Sequence, residues 1–210
     1  MRFNEPDNAL EMVDKAIEIF PEYGSAYRVR GQVYLMLKQV DKVENDFYTA
    51  YELNPENLRT LQQLSEYLYV SKRFNELVNL LEDAQKIQPL SMDLMINYGI
   101  ALAQTGQQDE AIEKFDQARK KFPDSAWPLY NLGYINVHKG KTAEAKQYFL
   151  QAIEKDPQNL QAHGMLGVMF FQENDLASAK KEFQLILDKI PDHPAAKQYM
   201  QKIQEVENTK

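Results

Sequence analysis

The sequence predicts an all-α repeat fold, a solenoid of antiparallel helix pairs, on three observations. Proline recurs every 34 residues, at Pro21, Pro55, Pro89, Pro123, Pro157 and Pro191, with no insertion between any two. One 34-residue stretch, Ala126 to Asn159, serves as a template for the rest: large apolar residues at positions 4, 7 and 24 (Leu129, Leu132, Phe149), small ones at 8, 20 and 27 (Gly133, Ala145, Ala152), and proline at 32 (Pro157). At 100° per residue, positions 4, 7, 8 and 11 form one stripe and positions 20, 24 and 27 another, so each unit is two amphipathic helices. Self-similarity at this period marks a solenoid.

Taken in order, residues 1–23 are a half repeat. Ala9, Val13, Ala16 and Pro21 occupy positions 20, 24, 27 and 32, so Glu5 to Phe20 reads as a second helix without its first. It is either a natural cap or the start of a piece cut from a longer protein; apolar Phe3 and Met12, left for an absent neighbour, favour the second. Full units follow at 24–57, 58–91, 92–125, 126–159 and 160–193. The unit from Met92 matches the template throughout, with Met95, Tyr98, Gly99, Leu102, Ala111, Phe115, Ala118 and Pro123. The unit from Leu160 departs only in His163 and in Ile186 at the small position 27. The first two are looser, with Arg30 at position 7 and Leu77 at position 20.

Proline at 32 stops each second helix. Position 15, the turn inside each unit, holds Gly106, Gly140 and Asn174, residues that tolerate the left-handed conformation. Lys38 and Lys72 stand there in the first two units, and those turns are expected to be strained or differently built. Residues 194–210 read as a capping helix from Pro194 to about Val206 and a frayed tail from Glu207. Its Tyr199, Met200, Ile203 and Val206 face back toward the last repeat, and Lys197, Gln201 and Gln204 turn the outward stripe polar.

This pattern resembles the tetratricopeptide repeat, and the resemblance covers essentially the whole chain. It implies one right-handed superhelical solenoid over residues 1–210, working as a non-catalytic protein-protein interaction module. It also implies that the first helices line a concave groove, with positions 2, 5, 9, 12 and 13 pointing into it. In the first two units those positions include Arg28, Gln32, Leu35, Met36, Arg59, Gln62, Glu66, Tyr69 and Val70, a mixed and polar set. Further on they include Ile96, Ile100, Trp127, Tyr130, Tyr134, Gly164, Val168 and Phe171, an apolar and aromatic set. Gly164, lacking a side chain, is expected to open a pocket beside the tyrosines. Some family members clamp a C-terminal carboxylate with Lys and Asn at set positions of three successive units. Here Arg28, Gln32, Gln63, Asp93 and Asn97 stand there, and Asp93 where a cation is needed argues against that mode.

Composition narrows the function. Net charge is -7 and the basic residues are scattered, so nucleic acid is not an expected partner. No apolar run is long enough to span a membrane, and MRFNEPDNAL lacks a signal core. There is no cysteine. The histidines His138, His163 and His193 fall at scattered framework or turn positions rather than as a ligand set. None of the phosphate-loop, dinucleotide, zinc-protease or nucleophile-elbow motifs occurs, so neither catalysis nor a cofactor is expected. The sequence therefore points to a protein or peptide partner whose apolar or amphipathic segment lies in the groove. Two alternatives stay open: a scaffold that assembles with itself or within a larger complex, and an accessory domain of a longer protein. The compartment is left open.

Overall fold

The computed structural model describes residues 5–208, and among them the only regular secondary structure is helical. The helices are α1 (Glu5–Ile19), α2 (Gly24–Met36), α3 (Val40–Leu53), α4 (Leu58–Val70), α5 (Phe74–Ile87), α6 (Met92–Gln104), α7 (Gln108–Lys121), α8 (Trp127–His138), α9 (Thr142–Lys155), α10 (Leu160–Gln172), α11 (Leu176–Lys189) and α12 (Pro194–Asn208). They fall into two compact units, the first ending at Gly106 and the second beginning at Gln107. The capping helix runs to Asn208, past the expected Val206. Phe3 lies outside the described residues, and Met12 is exposed on α1.

In the first, fourth and fifth units the glycine at position 8 admits the aromatic ring at position 24. A Cβ built on Gly31 would stand 2.7 Å from the Phe47 ring, one on Gly133 2.7 Å from Phe149, and one on Gly167 2.8 Å from Phe183. All three rings are fully buried. These glycines let a phenylalanine lie flat against the partner helix. The second repeat solves the same space differently, with buried Ser65 at position 8 and the slimmer Leu81 at 24. Ser65 Oγ accepts a bond from Asn97 Nδ2 on α6 at 3.3 Å.

The first helices α4 and α10 are capped from position 34 of the preceding repeat. Asn57 accepts from the Thr60 amide at 3.1 Å and Asn159 from the Ala162 amide at 2.9 Å. His193, unassigned by sequence, does the same for α12, its Nδ1 accepting from the Ala196 amide at 3.2 Å. These side chains satisfy amides that a helix start leaves unbonded.

The expectation for the lysine turns is corrected in one half: they are built like the others. Lys38 (φ 59°), Lys72 (φ 57°) and Asn174 (φ 61°) are left-handed, as are Gly106 (φ 87°) and Gly140 (φ 72°). The same closing bond recurs, Gln39 N to Tyr34 O, Arg73 N to Leu68 O, Lys141 N to Asn136 O and Asp175 N to Phe170 O, each at 2.9 Å. This six-to-one bond holds the residue before it in the left-handed region whatever its side chain. A lysine there carries a Cβ penalty of about 1–2 kcal/mol, offset in part by the larger unfolded-state freedom of glycine. Lys72→Gly is therefore expected to gain about 0.5–1 kcal/mol, read as a raised urea midpoint at constant slope. An unchanged midpoint would mean that the turn is relaxed.

The two departures at framework positions are also resolved. Leu77 is fully buried. Arg30, at the apolar position 7, forms two bonds to Asp46 of α3, Nε to Oδ2 at 2.8 Å and Nη2 to Oδ1 at 2.7 Å. A third runs from Nη1 to Asp14 Oδ1 of α1 at 2.8 Å. Asp46 is 1% exposed, so the ion pair replaces an apolar contact inside the core of the first repeat.

Candidate binding surface

In the second compact unit the inner positions of α8 form a continuous aromatic row. Trp127 meets Tyr130 edge-on at 6.0 Å between centroids, Tyr130 lies 6.3 Å from Tyr134, and Tyr134 meets His138 at 4.7 Å. Tyr130 is half-buried and leans on the core ring of Phe149 at 5.8 Å, which fixes the row to the repeat. Trp127 and Tyr134 are each 42% exposed. The rest of α8 explains why they can be: Pro128, Leu129, Asn131, Leu132, Gly133, Ile135 and Asn136 are buried, so packing consumes every face but this one. Asn131 and Asn136 donate to the Trp127 and Leu132 carbonyls at 2.8 and 2.7 Å, satisfying two buried amides within the helix.

On α10, Val168 and Phe171 are half-buried against the core formed by Ala179, Phe183, Ile186, Ala196 and Ile203. Phe171 meets Tyr199 of α12 edge-on at 5.5 Å, and Tyr199 stacks on Phe183 at 4.8 Å. The capping helix thus packs back on the last repeat and shares Phe171 with the inner face. Gly164 and Ile186 are a size exchange: the bulky residue at position 27 sits opposite the missing side chain at position 5. A Cβ on Gly164 would meet Ile186 Cδ1 at 3.7 Å, an ordinary contact.

His163, buried on α10, sets its Nδ1 2.5 Å from Glu182 Oε2 and its Nε2 3.2 Å from the Pro157 carbonyl. The carbonyl can only accept, so Nε2 donates; both ring nitrogens are engaged and the residue is structural.

In the first compact unit one expectation needs correction. Ile96, assigned to the open groove, is buried, because α6 is enclosed on almost every side: Leu94, Met95, Ile96, Tyr98, Gly99, Ala101 and Leu102 are all buried. Ile100 beside it is half-buried. The apolar members of the mixed set in the first two repeats are open to solvent. Met36 (70%) and Val70 (72%) are strongly exposed, and Leu35, Val40 and Tyr69 are exposed beside them. A cavity of about 390 Å³ opens among Gln32, Leu35, Val40, Phe47, Gln63, Glu66, Tyr67, Val70 and Ser71. Val40, Phe47 and Tyr67 lie off the groove stripe, so only the packing of α2, α3 and α4 could assemble this wall.

At the edge of that cavity Arg28 Nη1 donates to Gln32 Oε1 and to Gln63 Oε1, both at 3.3 Å. Gln62 is half-buried, while Arg59 and Glu66 are exposed. Among the described residues no helix is long and apolar enough to cross a membrane, and no group of three or more acidic or histidine side chains could hold a metal.

Helix pairs of constant length, joined by left-handed turns and closed by proline, define a helix-turn-helix repeat protein, and comparison with known proteins names the repeat. Profiles of the tetratricopeptide repeat match residues 136–203 and 99–140, together half of the chain. The chain belongs to the tetratricopeptide-repeat family, whose members are protein-interaction modules, typically without catalytic activity. No curated protein sequence matches it. Among solved structures it is similar to YrrB, described as a TPR protein with an unusual peptide-binding site, at 20% identity and TM-score 0.64 over 91% of this chain and 99% of that one. It is similar to PilW, a widely conserved type IV pilus biogenesis factor, at 18% identity and TM-score 0.75 over 95% and 93%. It is also similar to yeast Tom70, at 22% identity and TM-score 0.72, over 95% of this chain and 43% of that one. At these identities the likeness shows the fold alone.

Proposed function

We propose that this chain is a non-catalytic interaction module that takes an apolar or amphipathic segment of a partner protein on the inner face of its first helices. The observation that carries the reading is the α8 row, where Trp127 and Tyr134 stand 42% exposed on a helix otherwise given over to packing. Large rigid aromatics left open on a buried scaffold are the residues that dominate protein interfaces. Val168 and Phe171 extend the same apolar stripe on α10. The similarity to YrrB, a TPR protein with an unusual peptide-binding site, supports a peptide ligand. The absence of catalytic sequence motifs supports a binding role over an enzymatic one.

Hydrogen exchange on the complex tests the reading. A partner captured on the immobilised chain and purified is expected to slow amide exchange in α8 and α10, the first helices, and to leave α9 and α11 at their free rates. Protection confined to α9 and α11 would place the partner on the second helices and overturn the proposal.

A further inference from the structure

Five arginines stand at described positions, and three of them are ion-paired: Arg30 with Asp46 and Asp14, Arg73 with Glu44 and Glu76, Arg119 with Asp116. Arg28 and Arg59 make no ion pair among the described residues, in a chain with 31 acidic side chains. Arg28 stands on α2 and Arg59 on α4, the two helices that the Arg28 bonds to Gln32 and Gln63 join. Burial, and then the nearby charge of Arg59, hold the Arg28 guanidinium below its ordinary pKa. Among the described residues its hydrogen-bond partners are the two glutamine oxygens, and its Nε is buried without one. A buried donor on a cation left unpaired beside a second cation is costly, and native structures keep such an arrangement where something else completes it.

The glutamines that hold Arg28 also line the 390 Å³ cavity, so the cationic pair and the apolar pocket share a wall. We infer that Arg28 and Arg59 bind the side-chain carboxylate of an acidic residue in a partner peptide, with a bulky apolar neighbour of that residue seated in the cavity. Charge complementarity selects the acid: the guanidiniums offer charge-assisted bonds that neither glutamine can supply. Glu66, on the cavity wall, repels a second acid and leaves the pocket to an apolar side chain. Leu35 and Val70 of the cavity wall are themselves exposed and exposed Met36 follows Leu35, open apolar surface that suits a segment running through rather than a chain end. The site needs no cation in the third repeat, where Asp93 stands, and so differs from the chain-end clamp. It lies in a different unit from the aromatic row and uses different chemistry, so either can fail without the other.

The test is a titration of the ¹⁵N-labelled chain with the acetylated, amidated tetrapeptide Gly-Asp-Ile-Gly, followed at the Arg28 and Arg59 Nε–H resonances. Saturable shifts at low-millimolar peptide or tighter are expected, weakening as salt rises. Asparagine for the aspartate, or glycine for the isoleucine, is expected to weaken binding about tenfold. Arg28→Gln and Arg59→Gln should each weaken it about tenfold while the melting temperature holds, since neither breaks an ion pair. Equal binding by the asparagine peptide, parent-like binding by both folded variants, or no saturable shift would overturn the inference. So would equal binding of inorganic phosphate, or preference for a peptide whose only carboxylate is its C-terminus.

Discussion

Arg30→Met is expected to destabilise the first unit by about 3–5 kcal/mol, because it strands a buried carboxylate. Asp46 is 1% exposed, and among the described residues its side-chain hydrogen bonds come from the Arg30 guanidinium. With arginine gone, that charge has neither water nor a donor, and it cannot turn outward because α3 packs against α2. The bond to Asp14 matters less, since the Asp14 side chain is 49% exposed and its charge stays hydrated when the partner leaves. The same logic predicts rescue. Arg30→Met combined with Asp46→Leu removes both charges and restores apolar packing at positions 7 and 23, so most of the lost stability should return. Urea unfolding of the two single variants and the double variant measures this as a coupling energy. Additive losses would show that the pair is a surface contact in energetic terms.

The repeat was legible because its signals are local. Proline spacing, the small residues at 8 and 20 and the phenylalanines at 24 each report on one turn of helix, and the structure places Phe47, Phe149 and Phe183 on the glycines that the pattern pairs with them. The turns at Lys38 and Lys72 were legible in place but not in conformation, since lysine disfavours positive φ and the closing bond to Tyr34 or Leu68 overrides it. Contacts between the two helices of a repeat were hidden. Arg30 finds Asp46, and His163 finds Glu182, both acids at position 23 of the opposite helix; which face of that helix meets the first is set by packing, not by spacing. The cavity beside Gln32 was illegible for the same reason, and Ile96 was misplaced because a stripe assignment treats as open a helix that is apolar on nearly every side.

The second large effect belongs to the aromatic row. Trp127→Ala and Tyr134→Ala each remove an exposed ring that no core contact requires, and each is expected to cost a bound apolar segment about 2 kcal/mol, roughly thirtyfold in affinity. Both rings lean on Tyr130, so their losses are expected to couple, and the pair should cost more than the roughly thirtyfold of one ring but less than the product of the two. Helicity should not change, because the framework residues Leu129, Leu132 and Gly133 are untouched. The dependence on salt should be slight, since the row carries no charged carboxylate or ammonium.

The most direct measurement is the affinity of one captured partner for the parent chain, for the folded double variant Trp127→Ala/Tyr134→Ala, and for Leu150→Ala. Leu150 is 50% exposed on the second helix α9, a ring-free apolar control away from the inner face. Binding through the first helices predicts a loss of roughly thirtyfold or more in the double variant and parent affinity in Leu150→Ala, at low and moderate salt alike. Parent affinity in the double variant with a loss in Leu150→Ala would contradict it and move the interaction surface to the second helices.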